Sequence, residues 1–293
     1  MEFYSFLLMR HEIILFSIIL LLILAELLIP QDKKSSIMHL ALVLFGIHTA
    51  VGFLPLAEGS LFGGMFRSND MIHFFKAVLN IGVFTILLQS AEWLEDNMLK
   101  QDRGTEFFIL LFASLLGMYF MISAGDFLMF YIGLELSTLP VAALAAFEIM
   151  KRESGEAGVK FILSAALASG VSLFGISMLY ATNGSIYFED IIPTLTANNL
   201  TILGFILFFA GLAFKISLVP FHFWTADVYQ GAPISIASYL SVISKGAAAF
   251  ILMILLFASL LGMYFMISAG DFLMFYIGLE LSTLPVAALA AFE

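Results

Sequence analysis

Apolar runs of membrane-spanning length recur along this chain of 293 residues and limit the folds open to it. Hydrophobic residues make up 62% of the sequence, charged residues only 12%, and the mean hydropathy of +1.06 is far above that of soluble domains. The sequence therefore predicts an all-α, polytopic transmembrane helical bundle. The runs lie at about 11–29, 38–56, 71–94, 107–123, 127–147, 159–179, 200–222 and 235–256.

The charged residues between the runs predict a topology. The first run has no short apolar core followed by a small-residue cleavage site, so we interpret it as a retained helix rather than a signal peptide. One side of the membrane carries six basic residues and the other only two, which places the first set in the cytoplasm and the N-terminus outside. The six are Lys33, Lys34, Lys100, Arg103, Lys151 and Arg152, and the two are Arg10 and Arg67.

The net charge of the chain says little about its chemistry, whereas the absence of cysteine excludes several kinds of site. The formal net charge of −10 indicates no particular partner, because most of the acidic residues lie in short loops. The chain has no cysteine, which excludes disulfides, thiolate-held iron–sulfur clusters and cysteine nucleophiles within it. The sequence also shows no Gly-rich phosphate loop and no Ser/His/Asp set. Any redox chemistry would belong to a partner.

A carboxylate lies near the middle of the fifth apolar run. Glu135 follows Phe127 by eight residues, about 12 Å along a helix, in a hydrocarbon layer about 30 Å thick. Pro140 has no N–H and frees the carbonyl of Leu136, so we expect a helix break there. A buried charge beside an opened backbone indicates an ion or proton site. The alternative is a protonated Glu135 that hydrogen-bonds a neighbouring helix.

Lysines occur in three later runs. Lys215 lies in the seventh run and precedes Pro220 by five positions, the spacing of Glu135 and Pro140, which predicts a second break. Lys245 lies near the middle of the eighth run. Lys160 is one residue into the sixth run, where a lysine that reaches the membrane surface is ordinary.

These charges suggest a proton relay. Burial lowers the pKa of a lysine and raises that of a glutamate, which makes proton exchange near neutral pH feasible. A relay would connect Glu135, Lys215 and Lys245, with His222 as a further candidate because it closely follows Pro220. The other interpretation is a fixed ion pair that only holds helices together.

The remaining polar residues of the runs receive no chemical role. Histidines His39, His48 and His73 lack metal-ligand spacing, and we expect them to be structural. Lys76, one helical turn after His73, has no predicted role.

The C-terminal part of the chain is an internal copy. Ile254–Glu293 is identical to Ile109–Glu148 at all 40 positions, whereas repeats in natural transporters are only weakly similar. The 35 residues across the join, Ile234–Ser268, form a nearly continuous apolar run of about 50 Å as a helix, too long for one span and too short for two. We interpret the copy as a duplication or an assembly artefact. Its carboxylate Glu280 has no lysine after it, so we expect it to be neutral.

Three stretches resemble a known family. They are GLELSTLPVAALAAF, EAGVKFILSAALASGVSLFGISMLY and GLAFKISLVPFHFWTADVYQGAPISIASYLSVISKGA. Together they resemble the subunit N family of proton-translocating NADH-quinone oxidoreductase, bacterial respiratory complex I, which is related to Mrp-type antiporter subunits. The resemblance covers about residues 10–255. It implies an antiporter-like bundle with a broken seventh helix and a proton channel in which Glu135, Lys160, Lys215 and Lys245 match the charged positions of the family.

The resemblance also implies a function and partners. The function is proton transfer through a buried Glu/Lys relay, coupled to quinone reduction. The alternatives are an Mrp-type cation/proton antiporter subunit and a structural scaffold. No cofactor is expected in this chain: NADH, FMN, iron–sulfur clusters and quinone would lie in partner subunits of a hetero-oligomer in the cell inner membrane, without nucleic acid.

The implied domains are helices 1–3 in residues 1–106, the channel half in 107–256, and the copy in 254–293. Members of the family continue through a second, inverted set of helices with another channel lysine. Because this chain instead repeats its fourth and fifth helices, we do not expect it to pass a proton across the membrane alone.

Overall fold

A computed structural model describes residues 3–30, 35–95, 103–194 and 198–250. The copied segment 254–293, with Glu280, lies outside the described residues. So does the junction between the copy and the eighth run. Three of the basic residues that predict the topology also lie outside the described residues, namely Lys33, Lys34 and Lys100.

The described residues are almost entirely helical. A 3₁₀ turn, Phe3–Met9, precedes the first helix, and one short hairpin joins β1 (Gly59–Leu61) to β2 (Phe66–Ser68). The helices are α1 (Arg10–Leu28), α2 (Ser35–Val51), α3 (Asp70–Trp93), α4 (Gly104–Ile122), α5 (Phe127–Ala145), α6 (Arg152–Asn183), α7 (Phe188–Thr194), α8 (Asn199–Ile216), α9 (Trp224–Gly231) and α10 (Ile234–Phe250), the last with a π-helical stretch at Tyr239–Ser244.

Six of these helices are long and apolar enough to cross a membrane, namely α1, α3, α4, α5, α6 and α8. The predicted polytopic bundle is therefore confirmed. Two of the eight predicted runs form shorter apolar helices, α2 and α10. The seventh run is broken as predicted: α8 ends at Ile216, and helix resumes only at Trp224.

Side-chain caps fix where three of the apolar helices begin. Asn69 accepts a hydrogen bond from the N–H of Ile72 (2.8 Å) at the start of α3, and Asp126 accepts one from Met129 N–H (2.6 Å) at the start of α5. Asn198 does the same for α8. Each such cap is worth about 1 kcal/mol, so these three residues set the register of the apolar helices that follow.

The chain divides into two compact units. The first contains residues 1–163 and 226–244, and its central helix is α4, of which 14 of 19 residues are buried. Helices α1, α2 and α5 pack around α4. The second contains residues 164–225 and continues from 245, and in it the later part of α6 packs closely against α8. There Ser172 Oγ donates to Phe208 O (2.7 Å).

The β-hairpin lies on the loop between α4 and α5. Arg67 N–H donates to Ser123 O (2.8 Å), and Gly125 N–H donates to Met65 O (2.7 Å), so this loop is joined to β2 by one antiparallel bridge between Phe66 and Ala124. A Cβ at Gly125 would come within 1.9 Å of Gly64 O, which only glycine avoids. The hairpin thus marks the end of the first unit where α1 and α3 begin and α2 and α4 end.

Candidate functional site

Glu135 lies in the middle of α5, on a helix held tightly against α4. A Cβ at Gly133 would lie 2.4 Å from Met121 N, and a Cβ at Gly117 would lie 2.3 Å from Ser137 N. The two backbones therefore touch, as small residues allow in membrane helix pairs. Glu135 itself is half-buried, and its Oε1 is buried with no hydrogen-bond partner among the described residues.

Hydroxyl groups surround the helical turn that carries Glu135. Ser137 and Thr138 both donate to Leu134 O, at 2.8 and 2.5 Å. Ser114 on α4 donates to Ser137 O (2.8 Å) and accepts from Tyr239 OH (3.1 Å). The turn that carries Glu135 is thus fixed by hydroxyl groups that donate to its backbone carbonyls, and Tyr239 and Ser114 form the one hydroxyl–hydroxyl bond among these contacts.

The expected helix break at Pro140 is wrong. Helix α5 continues through Pro140 to Ala145. A proline removes one donor but keeps helical φ, and neighbouring helices and Ser or Thr side chains can satisfy freed groups in a membrane helix. The close contact with α4 holds the turn before Pro140 in place, together with the hydrogen bonds that Ser114, Ser137 and Thr138 donate to its carbonyl groups.

Lys160 is placed differently from its predicted position. Helix α6 begins at Arg152, so Lys160 lies two turns inside the helix rather than at its start. Its ammonium group pairs with Glu156 (2.6 Å) and with Asp227 of α9 (2.6 Å), and the side chain is 41% exposed. Sequence reasoning missed both carboxylates, although Glu156 is four residues away on the same helix face.

Lys215 is buried in the last turn of α8, in the second unit. The helix ends because Ser217 adopts a left-handed conformation (φ 63°), and Leu218 N–H returns to Ala213 O at 2.8 Å. Trp224 Nε1 donates to Phe214 O (3.2 Å). This end is therefore firmly held beside Lys215.

Two more predicted relay residues also lie in the second unit. Lys245 is half-buried and directly follows the π-helical stretch of α10. His222 is half-buried in the segment after Pro220, where its ring contacts that of Phe223, with centroids 4.4 Å apart, and its Nδ1 has no hydrogen-bond partner among the described residues.

A cavity of about 540 Å³ opens in the first unit at the end away from the hairpin. Its lining includes Trp93 at the end of α3, Glu148 and Lys151 after α5, and residues 230–235 between α9 and α10. The lining therefore mixes charged, amide and apolar groups, and it includes part of the stretch TADVYQGAP.

The most buried ion pair of the described residues was not predicted. Lys76 Nζ donates to the carboxylate of Glu12 and to Ser123 Oγ (2.5 Å), and the Lys76 and Glu12 side chains are 1% and 2% exposed. The ammonium also lies 5.2 Å from the ring centroid of Phe66. The pair joins the first turn of α1 to the second turn of α3.

Three histidines lie around this pair. The ring centroid of His11 is 5.7 Å from that of His73 and 5.8 Å from that of His48. Ser68 Oγ lies 2.6 Å from His73 Nε2, and His48 Nε2 lies 3.1 Å from Tyr119 OH. The expectation that His48 and His73 are purely structural took no account of His11 and Glu12.

Several buried polar atoms of this group lack a hydrogen-bond partner in the part of the chain that the structure describes. Within the described residues, no hydrogen bond reaches His11 Nδ1, His11 Nε2, Glu12 Oε2, His48 Nδ1 or His73 Nδ1, and all five are buried. Each such atom costs about 1–3 kcal/mol when left unsatisfied. No three or more His, Cys, Asp or Glu side chains in this part of the chain are placed to hold a metal ion.

Comparison with known proteins identifies the family. A family model described as NADH:quinone oxidoreductase/Mrp antiporter, TM, matches residues 124–268. A protein of Phocaeicola vulgatus named NADH-quinone oxidoreductase subunit N is 49% identical over 256 residues, which cover 87% of this chain and 54% of that protein. The chain belongs to the NADH:quinone oxidoreductase/Mrp antiporter family of membrane subunits.

A second relative of this antiporter-like family gives the same result. The subunit N of Azobacteroides pseudotrichonymphae is 45% identical over 259 residues, 88% of this chain and 54% of that protein. The chain spans about half the length of the curated relatives it matches. The resemblance seen in the sequence motifs is thus confirmed.

Two solved structures share the antiporter-like fold. Respiratory complex I from Thermus thermophilus with bound aureothin aligns with a TM-score of 0.66 at 23% identity, over 96% of this chain and 64% of that one. The archaeal membrane-bound sulfane sulfur reductase aligns with a TM-score of 0.60 at 17% identity, over 99% and 64%. At identities of 23% and 17%, these alignments show a shared fold alone.

The matched family segment divides the polar groups into two sets. Residues 124–268 include Glu135, Lys160, Lys215 and Lys245. The buried group formed by Glu12, Lys76 and the three histidines lies entirely before that segment.

Proposed function

We propose that this chain is part of subunit N of a proton-translocating NADH-quinone oxidoreductase, in which it couples quinone reduction to proton transfer. The observation that carries the proposal is the 49% identity to a protein named subunit N over 87% of the chain. The presence of the motif residues Glu135, Lys215 and Lys245 in the matched family segment supports it.

Within this function we assign the proton relay to Glu135, Lys160, Lys215, Lys245 and His222. Support for Glu135 comes from its position in mid-helix and from its buried Oε1, which has no hydrogen-bond partner within the described ranges. An ionisable group at this depth is costly and is usually functional. Support for Lys215 comes from its burial beside the helix break before Pro220.

The proposal includes location and partners. The chain would lie in the cell inner membrane with its N-terminus outside, in a hetero-oligomer with other membrane subunits of the complex. NADH, FMN, iron–sulfur clusters and quinone would be bound by those partners. The cavity beside Glu148 and Lys151 would then face the cytoplasm, where water could enter the unit.

The second candidate function is a cation/proton antiporter subunit without a redox partner. The description of the matching family model, which includes Mrp antiporters, is the observation in its favour. The close relatives named subunit N favour the oxidoreductase.

The test is purification of the native assembly through a tag on the full-length protein, followed by reconstitution in vesicles. We expect NADH-dependent quinone reduction accompanied by proton uptake or release across the membrane. Isolation of an assembly that exchanges sodium for protons and does not oxidise NADH would overturn the proposal in favour of the antiporter.

A further inference from the structure

The buried group at the hairpin end of the first unit has two features of a site that takes up a proton. It combines three imidazoles with one carboxylate and one ammonium, and both the imidazoles and the carboxylate have buried atoms that no other described residue hydrogen-bonds. The group lies outside the matched family segment 124–268. We propose that Glu12, Lys76, His11, His48 and His73 form a proton-binding site separate from the turn that carries Glu135.

The side chains of the group carry no net charge before a proton is added. Glu12 and Lys76 cancel each other, so the group is neutral when all three imidazoles are neutral. Lys76 occupies only one oxygen of Glu12, and the second, Oε2, is buried without a partner among the described residues. A carboxylate with one free oxygen can stabilise a second cation, and an imidazolium is the cation that the neighbouring side chains can supply.

His11 is the central imidazole of the three, with the rings of His48 and His73 on either side of it. It is 1% exposed, neither of its ring nitrogens has a partner in the described part of the chain, and it adjoins Glu12 in the sequence. Protonation breaks one O–H bond of a hydronium ion and forms one N–H bond on the ring, so the charge of the group rises by one. The rings of His48 and His73 lie within 6 Å of His11 and are the neighbouring imidazoles of the site.

The hairpin and the loop after α2 are the parts of the first unit that border the group on its outer side. Ser68 at the end of β2 contacts His73 Nε2, and Arg10, at the start of α1, donates to the exposed loop carbonyl of Leu54 (2.7 Å). The other ionisable groups that face the histidines from the surrounding elements are Arg10 on α1, Asp70 on α3 and Tyr119 on α4, with Tyr239 of α10 beyond Tyr119.

The proposal is tested by infrared difference spectroscopy of the purified full-length complex as the pH is changed, without NADH or quinone. We expect the spectrum of the wild type to contain an imidazole signal that titrates and is absent from His11→Gln. Because the measurement needs no turnover, its result is independent of whether the assembly oxidises NADH. His39→Gln, on an exposed position of α2, is the matched control: it should leave in place the particular signal that His11→Gln removes.

Two charge variants distinguish a proton-binding site from a merely structural polar group. Glu12→Gln removes the anion and should lower the titration midpoint of the signal by about one pH unit or more, whereas Lys76→Met removes the cation and should raise it by a similar amount. The double variant Glu12→Gln/Lys76→Met is neutral and should return the midpoint close to that of the wild type.

Three outcomes would overturn the proposal. They are the absence of a titrating signal in the wild type, survival of the signal in His11→Gln, and shifts of the same sign in the two single variants. If a single variant fails to assemble, the double variant still tests the proposal. It retains all three histidines, so its spectrum should still contain the titrating imidazole signal.

Discussion

The ammonium group of Lys76 donates a hydrogen bond to the carboxylate of Glu12 across 64 positions of sequence, and both side chains are almost completely buried. A charge in this position without its partner would be far more costly than the pair is favourable. The pair therefore fixes α1 against α3 at the hairpin end of the first unit, where Ser123 of the α4 terminus supplies a third contact.

Removing one partner of this pair should destabilise the protein strongly. We expect Lys76→Met to reduce the free energy of unfolding by about 3–5 kcal/mol, because it leaves the Glu12 carboxylate buried and uncompensated. Thermal unfolding of the full-length protein in detergent measures the effect, and the neutral double variant Glu12→Gln/Lys76→Met should recover most of the loss. The control is Lys151→Met: the pair of Lys151 with Glu148 is largely exposed on the lysine side and should contribute about 0–1 kcal/mol. Equal losses in Lys76→Met and Lys151→Met would show that the buried pair has no special role.

The contact between α4 and α5 should not tolerate a side chain at Gly133. A Cβ there lies 2.4 Å from Met121 N and 2.8 Å from Gly117 O, both of them backbone atoms that cannot turn away. We expect Gly133→Ala to lower stability by about 1–3 kcal/mol or more, since the helices must separate. Gly170→Ala in α6 is the matched control, because its Cβ would meet nothing within 4 Å. A Gly133→Ala variant as heat-stable as Gly170→Ala would contradict the close contact.

Glu135→Gln should lower proton pumping by about tenfold or more while leaving assembly intact, because it keeps the shape of the side chain and removes the titrating group. Proton movement in vesicles, normalised to assembled complex, measures the effect. Glu106→Gln, on an exposed glutamate at the start of α4, is the control. Retained pumping in Glu135→Gln would reduce this residue to a packing role.

Lys215→Ala should lose pumping in the same assay. Lys215→Arg should not restore it, because a guanidinium group does not release its proton near neutral pH. Full pumping by the arginine variant would count against Lys215 as a relay member.

The cap residue Asp126 should make stability depend on pH. Burial raises the pKa of Asp126, and the hydrogen bond from Met129 N–H only partly opposes this. The native state therefore binds the proton more tightly than the unfolded chain, so this group adds stability at low pH that is lost as the pH rises through its native pKa. Asp126→Asn keeps the cap oxygen and should remove that dependence, whereas Asp126→Ala should also lose about 1 kcal/mol of capping. Unfolding midpoints measured from about pH 4 to pH 7 check both; identical pH profiles for Asp126→Asn and the wild type would contradict the assignment.

The sequence predicted the helices better than the contacts between them. Run length and hydropathy located α3, α4 and α5 because a membrane span needs a continuous apolar stretch, and Pro220 correctly indicated the break after α8. Pro140 did not break α5, because the cost of a missing donor depends on neighbours that a single helix does not reveal. The pairing of Glu12 with Lys76 was missed because it also depends on a neighbouring helix. Each of the two residues lies near the end of its run, where a charge is ordinary. The sequence did contain an indication of the pair: α1 and α3 run in the same direction, which places the opposite charges of Glu12 and Lys76 at a similar depth.

The strand pairing at Ser123 and Gly125 has a consequence for how the chain can change in length. Loops between membrane helices usually accept insertions, since few of their backbone groups have fixed partners. Here the four residues Ser123–Asp126 bond to β2 on one side, while Ser123 accepts a hydrogen bond from Lys76 and Asp126 caps α5. One added residue would exchange the inward and outward sides of this segment. This short connection should therefore be as intolerant of insertion as the interior of a helix.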